Sequence, residues 1–131
     1  TTNMDTSYLY RYSNWEASVS AGVHLPHTAV ITELQASVED NSMDHGDSAS
    51  FAIDLWKLTP GNLPTSIASA STSGSVGGVQ TPSDPTVNHQ VDNQNNTYLV
   101  TAAWRAPSYP NQAQLKLYSV RIKYTVTSPL P

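Results

Sequence analysis

The stretch VITELQASVEDNSMDHGDSASFAIDLWK, residues 30–57, decides how this chain folds. Apolar and polar residues alternate on both sides of an acidic segment, as in a half-buried β-strand, where successive side chains leave opposite faces. The alternation predicts two strands joined as a long β-hairpin, with residues 39–47 as its acidic tip. The residues expected on the buried faces are Val30, Thr32, Leu34, Ala36 and Val38, followed by Ala49, Phe51, Ile53 and Leu55.

Working outward from this stretch, two further segments have strong strand patterns. One is residues 97–105, and the other is residues 113–126, in which the apolar parity switches near Leu117 or Tyr118. Such a switch indicates either a β-bulge or a strand that is buried on both faces. Shorter strands are predicted at 8–12, 15–23, 66–73 and 86–91, and a loop at 74–85.

These strands are separated by turns rich in proline, glycine and asparagine, and no helical period is visible. The pattern therefore predicts an all-β fold, an antiparallel β-sandwich. A jelly roll is the favoured topology, and an immunoglobulin-like sandwich is the alternative. We expect residues 1–131 to form a single domain with flexible ends at 1–7 and 127–131.

The composition limits the locations and the binding partners that are expected for the protein. The net charge is −4, which argues against a nucleic-acid partner, because a nucleic-acid binder needs a basic face. No apolar run is long enough for membrane insertion. Charged residues make up 12% of the chain, against about 25% in ordinary proteins. A surface of uncharged polar residues favours an extracellular, cell-surface or virion-surface location.

Three segments together resemble a known type of domain. They are LPHTAVITELQASVEDNS at 25–42, FAIDLWKLTPG at 51–61 and LKLYSVRIKYTV at 115–126. This combination resembles a recurrent β-sandwich domain of bacterial secreted and surface proteins. The resemblance implies a jelly-roll-like fold and an extracellular setting. Its motifs are structural, so it implies no catalytic or binding residue.

The acidic tip is a candidate metal site. Glu39, Asp40, Asp44 and Asp47 lie within nine positions, and Ca²⁺ prefers several carboxylate and carbonyl oxygens from a flexible loop. The spacing does not match an EF-hand, because Gly46 falls one position late. The alternative is a solvated turn whose charges discourage edge-to-edge pairing. Calcium is thus the one cofactor that the sequence suggests, and otherwise none is expected.

Aromatic residues are the candidates for ligand binding. Carbohydrate-binding modules on β-sandwiches stack exposed tryptophan and tyrosine rings against sugar faces. The candidates are Trp15, Trp56, Trp104 and Tyr109, with the alternating tyrosines of 8–12 as a further row. Trp56 stands out because strand parity places it opposite the core face.

Catalysis is not expected. The chain has no cysteine, no Gly-x-Ser-x-Gly elbow and no His-Glu-x-x-His motif. Glu33 and Asp54 could face each other across the predicted hairpin as a glycosidase-like carboxylate pair, but outward positions on paired strands produce such proximity by chance. His24 and His27 flank a proline, which favours ordinary loop histidines over metal ligands.

The sequence therefore predicts a non-catalytic structural or adhesive module that assembles into a homo-oligomer. Strands that are apolar on both faces near 115–126 would suit a subunit interface. A trimer is expected by analogy with trimeric jelly-roll assemblies. The alternative is a carbohydrate-binding module that uses exposed tryptophan and tyrosine, with a glycan as its partner.

Overall fold

The computed structural model describes residues 9–11, 17–40, 50–72, 78–105 and 115–126. Every regular element in these ranges is a β-strand. The strands are β1 (Leu9–Arg11), β2 (Ala17–Val23), β3 (Val30–Asp40), β4 (Ser50–Leu58), β5 (Thr65–Ser71), β6 (Val79–Gln80), β7 (Ser83–Asp84), β8 (His89–Gln90), β9 (Thr97–Arg105) and β10 (Leu115–Thr125).

The strands form two antiparallel sheets. Sheet A has the order β1-β10-β3-β6, and the short strands β7 and β8 pair with the same edge of β3 as a continuation of β6. Sheet B has the order β2-β9-β4-β5. The prediction of an all-β antiparallel sandwich is confirmed.

The pairing is that of a jelly roll, the favoured topology. Strands pair from the two ends of the chain inward: β1 with β10, β2 with β9, β3 with β6 to β8, and β4 with β5. Alternate pairs of this nested series belong to sheet A and sheet B, as when one long antiparallel ribbon is rolled into two layers. This order also excludes the immunoglobulin-like alternative.

The predicted hairpin between the two strands of the opening stretch is wrong, although both strands exist. β3 lies in sheet A between β10 and β6, whereas β4 lies in sheet B between β9 and β5. The two strands face each other across the core instead of sharing hydrogen bonds. Alternation specifies which face of a strand is buried, but it does not specify which neighbour completes the backbone ladder. Residues 41–49, which connect them, lie outside the described residues.

The core lies between the inner faces of the two sheets. The largest fully buried side chains are Phe51, Ile31, Leu34, Ile53, Leu55, Val38 and Val91. The alternation predicted most of these positions, but it is wrong for Val30 and Thr32, which are only half-buried. Ile31 and Glu33 pair with consecutive residues of β10, so Thr32 is an extra residue that reverses the alternation at that point.

A second bulge lies where the parity switch predicted one. Leu117 and Ser119 of β10 pair with the consecutive residues Val38 and Ser37, so Tyr118 is the extra residue. Beyond it, Val120 packs against the core from the opposite parity to Leu117. The switch of parity in the sequence is therefore explained by a single inserted residue.

The predicted loop at 74–85 is partly wrong, because β6 and β7 form a short edge beside β3. This edge is tied to sheet B by Asp84: its Oδ2 accepts from the backbone N–H of Ser69 on β5 at 3.2 Å, and its Oδ1 accepts from Thr86. These hydrogen bonds, with the Thr86 hydroxyl contributing most, lower the pKa of Asp84. Within the described ranges, no helix is long and apolar enough to span a membrane.

Candidate functional site

Trp56 lies on the outer face of sheet B, as its strand parity predicts. Phe51, Ile53 and Leu55 of β4 are buried, while Trp56 belongs to the alternate set and is half-buried. A large aromatic side chain on the outer face of a sheet is a candidate contact surface, since the core does not need it there.

The indole of Trp56 leans along the sheet. In the strand register Trp56 is opposite Leu99, yet its Nε1–H donates to Oγ1 of Thr101, two residues further along β9, at 2.8 Å. Diagonal positions on neighbouring strands are about 7–8 Å apart, so the ring must lie over the sheet to reach that hydroxyl. The hydrogen bond therefore holds the indole of Trp56 against β9.

Polar groups lie beside the indole. Thr101 is opposite Asp54 of β4, and the Ser66 hydroxyl donates to Oδ1 of Asp54 at 3.3 Å. Two further outward positions that pair with β9 carry small residues, Ser20 and Gly22 of β2. The result is a flat surface with one aromatic ring and a cluster of hydroxyl and carboxylate groups. Trp56, Leu99, Thr101, Asp54 and Ser66 are called the Trp56 surface below.

The other aromatic candidates are not brought to this surface by any described contact. Trp15 and Tyr109 lie outside the described residues. Trp104 is opposite Ala17 and Phe51 in the register of sheet B, but its side chain is outside the described part of the chain. Of the four predicted aromatic residues, Trp56 alone is placed with its side chain.

The acidic tip is described only at its beginning. Asp40 ends β3, and Glu39 beside it lies 3.3 Å, carboxylate oxygen to Nζ, from Lys116 of β10. Asp44 and Asp47 lie outside the described residues, as does the side chain of Asp40. The calcium site stays a prediction, and one of its four carboxylates already has a lysine partner.

The carboxylate pair suggested for a glycosidase is wrong. Glu33 lies in sheet A and Asp54 in sheet B, because β3 and β4 belong to different sheets. Glu33 is instead paired with Lys123 of β10, with 2.7 Å between Oε1 and Nζ. The outer faces of opposite sheets cannot bring these two carboxylates to one substrate.

A polar network at one end of the sandwich was not apparent from the sequence. The hydroxyl of Tyr98 accepts from the backbone N–H of Asp92 at 3.0 Å and lies 3.0 Å from Nε2 of His89. Tyr98 is only 4% exposed. Burial, and secondarily the charge of Lys57, lowers the pKa of His89. The strand pattern had placed Tyr98 on the core face, but nothing in the sequence pointed to its partners.

The turn at residues 92–96, between β8 and β9, is hydrogen-bonded to the loop before β3. Nδ1 of His27 accepts from the backbone N–H of Asn93 at 3.1 Å, and the Asn93 amide donates to the Leu25 carbonyl at 2.7 Å. His27 is therefore a hydrogen-bonded loop histidine, as predicted. The Asp92 carboxylate accepts from the side-chain amide of Asn95, which is the largest cause of its lowered pKa.

This turn and the β4–β5 turn enclose a cleft of about 430 Å³. The hydroxyl of Thr59 donates to Oδ1 of Asn96 at 2.5 Å across it. Its other lining residues include Asn62, Asn93, Gln94 and Asn95, and no aromatic ring lies among them. The cleft is open and uncharged, so its geometry favours no particular ligand over water.

Comparisons with known proteins find distant structural similarities and no sequence family. No protein-family model matches the sequence, and no curated protein matches it significantly. The Eiger TNF from S. frugiperda is similar with a TM-score of 0.41 and 11% identity, over 84% of this chain and 68% of that one. A chain from the structure of accessory secretory proteins 1, 2 and 3 of Streptococcus pneumoniae is similar with a TM-score of 0.43 and 11% identity, over 94% of this chain and 88% of that one.

Both similar structures are distant, and neither carries information about a site. The resemblance to a bacterial secreted and surface domain, stated from three segments of sequence, therefore remains a prediction.

Proposed function

We propose that this chain is a non-catalytic adhesive module that binds carbohydrate through the Trp56 surface. The observation that carries the proposal is the indole of Trp56, held along the outer face of sheet B by its hydrogen bond to Thr101. A ring held in place by a hydrogen bond offers a stacking platform at low entropic cost, because it is already ordered before the ligand binds.

The groups around the ring supply the polar half of such a site. Asp54 and the hydroxyls of Thr101 and Ser66 can accept and donate hydrogen bonds to sugar hydroxyls. Glu33 lies in the other sheet, so it does not pair with Asp54 at this surface. An extracellular, cell-surface or virion-surface setting fits the low charge of the chain, 12% charged residues.

The test is a glycan array followed by affinity electrophoresis on the polysaccharides that respond. We expect Trp56→Ala to weaken binding by about tenfold or more, which corresponds to about 1.4 kcal/mol. Trp56→Phe keeps an aromatic ring but loses the Nε1–H donor, so its loss should be intermediate. Thr101→Val should act in the same direction as Trp56→Phe, since it removes the acceptor that orients the ring.

Leu63→Ala is the control, because this exposed apolar side chain lies in the β4–β5 turn, outside the Trp56 surface and outside sheet A. An array without any response rejects the proposal. A response that Trp56→Ala leaves unchanged also rejects it, by moving the site away from sheet B.

A second candidate function is self-assembly into a homo-oligomer, favoured by one edge of sheet A. β1 pairs only with 115–117 of β10, so within the described residues no strand pairs with that edge from Ser119 to Thr125. Tyr124 and Val126 lie at the end of the same edge and are 42% and 41% exposed. An unpaired edge with exposed apolar side chains is a template for another strand, here a second copy of this chain.

Sedimentation velocity over a range of concentrations tests this candidate. We expect an oligomer that Val126→Asp together with Tyr124→Asp dissociates, whereas Leu63→Asp, at an exposed apolar site in the β4–β5 turn, leaves it intact. The sequence-based expectation of a trimer is tested by the same mass measurement. A monomer at all concentrations rejects assembly.

A further inference from the structure

A small depression on the outer face of sheet A combines a free cation with several hydrogen-bonding groups. It lies where β3, β10 and the 79–84 edge meet, and its volume is about 200 Å³. The residues that line it are Gln35, Ala36, Ser37, Thr81, Ser119 and Arg121. Four of them form two cross-strand pairs, Arg121 with Gln35 and Ser119 with Ser37.

Those two pairs form a compact block of side chains. Paired residues on antiparallel strands have Cβ atoms about 4.5–5.5 Å apart, and next neighbours on one face of a strand are about 7 Å apart. A guanidinium, an amide and two hydroxyls therefore converge over an area that matches one carboxylate or sulfate group. All four side chains can donate hydrogen bonds, which is the requirement for holding an oxyanion.

The ion pairs of β10 leave the charge of Arg121 without a carboxylate partner among the described residues. Its two basic neighbours on β10 both have carboxylate partners: Lys116 lies 3.3 Å from Glu39, and Lys123 lies 2.7 Å from Glu33. Among the described residues no carboxylate lies within ion-pairing distance of Arg121. In a chain of net charge −4, an exposed guanidinium that has no carboxylate partner in the described part of the chain is available for an external anion.

The depression also offers acceptors for hydrogen bonds. Ala36 is only 1% exposed, so the acceptors that a ligand can reach are on side chains, namely the amide oxygen of Gln35 and the hydroxyl of Thr81. An anion that carries neighbouring hydroxyl groups could bind the donors through its charged oxygens and the acceptors through its hydroxyls.

We propose that this depression, with Arg121 as its anchor, binds the carboxylate or sulfate group of an acidic sugar. Arginine can form two parallel hydrogen bonds with such a group, and the hydroxyls of Ser37 and Ser119 complete its coordination. The site does not depend on the Trp56 surface, because the two lie on the outer faces of different sheets.

The test is a titration of the ¹⁵N-labelled protein followed by NMR, with the ionic strength held constant by sodium chloride. The three probes are sodium sulfate, a sulfated oligosaccharide and the same oligosaccharide after desulfation. We expect the amide signals of residues 35–37 and 119–121 to shift with the first two probes and not with the third. The sulfated oligosaccharide should bind more tightly than sulfate, because it adds hydroxyl contacts.

Arg121→Gln should weaken binding of the sulfated oligosaccharide by about tenfold or more, the range for a lost hydrogen-bonded charge. Arg121→Lys keeps the charge but loses the paired geometry, so it should retain only part of the affinity. Lys57→Gln removes the same charge from β4 of sheet B and should change nothing. Trp56→Ala should also leave this binding unchanged, which separates the site from the proposed function.

Three results would overturn the proposal. Shifts spread over all basic residues, or an equal loss in Lys57→Gln, would reduce the effect to general charge attraction. Equal binding before and after desulfation would remove the role of the anion. Sulfate binding at Arg121 that the oligosaccharide does not improve would assign the site to a free inorganic anion and overturn the sugar.

Discussion

Replacing Tyr98 with phenylalanine removes one hydroxyl that links three parts of the chain. That hydroxyl accepts from the backbone N–H of Asp92 at 3.0 Å and lies 3.0 Å from Nε2 of His89, while the ring itself is only 4% exposed. The substitution leaves the ring and its packing in place. Any loss of stability therefore reports the polar contacts and not a cavity.

The magnitude follows from the groups left behind. The N–H of Asp92 loses its acceptor, and an unsatisfied, partly buried donor costs about 1–3 kcal/mol. The contact with His89 adds about 1 kcal/mol, the typical net value of a hydrogen bond. Water can reach His89, which is half-buried, so the total should be about 2–3 kcal/mol. For a chain of 131 residues this corresponds to a fall in melting temperature of roughly 10 °C.

The assay is urea unfolding at pH 7, followed by circular dichroism, with thermal melting as a second measurement. Tyr124→Phe is the matched control, since the Tyr124 ring is 42% exposed, and it should change stability by less than about 0.5 kcal/mol. An unchanged denaturant slope would show that both variants unfold from the same native state.

A loss below about 0.5 kcal/mol for Tyr98→Phe would refute the reasoning, because an unsatisfied backbone donor destabilises the fold by more than that. An equal loss in Tyr124→Phe would also refute it, since the effect would then not arise from the network around Asp92 and His89.

Three further predictions concern His89, Asp84 and the acidic tip. Because burial and then the charge of Lys57 lower the pKa of His89 below 6.5, the unfolded chain binds the proton more readily, so the free energy of unfolding should fall as the pH drops below 6.5. Urea titrations at pH 7 and pH 5 should show a smaller fall in His89→Gln, and an identical fall would contradict the assignment. Asp84→Asn replaces one of the two oxygens that link β7 to Ser69 and Thr86, and chemical unfolding should report a loss of about 1 kcal/mol, whereas Asp54→Asn, with one long contact to Ser66, should lose less. The calcium hypothesis for Glu39, Asp40, Asp44 and Asp47 predicts that millimolar calcium raises the melting temperature and that a chelator reverses the rise; an unchanged melting temperature rejects it.

The strands were largely predictable because their signals are local. Residues 97–105 were assigned as a strand with the same limits that the structure gives β9. The parity switch in the last strand located the bulge at Tyr118, since one inserted residue must reverse an alternation of period two. The bulge at Thr32 has no such signal in the sequence, because Val30 and Thr32 resemble core residues at the expected parity and Ile31 between them is equally apolar.

The candidate sites were less predictable, because contacts across sheets have no local signature. Parity alone placed Trp56 outside the core, but the direction of its indole depends on Thr101, which is 45 residues away in the chain. Nothing local in the sequence distinguishes Arg121 from Lys116 and Lys123, the other basic residues of β10. Only the tertiary structure shows that, among the described residues, Glu33 pairs with Lys123 and Glu39 with Lys116, while Arg121 has no carboxylate partner.

The opening stretch, residues 30–57, separates the two kinds of information. By itself the sequence determined that this stretch contains two amphipathic strands and that Leu34, Val38, Phe51, Ile53 and Leu55 are buried, because burial depends on the alternation of side chains along one strand. Only the tertiary structure decided that the strands lie in opposite sheets and cover each other across the core. Every residue except proline has the same backbone N–H and C=O groups, so the choice of hydrogen-bonded neighbour depends on how all the strands pack together.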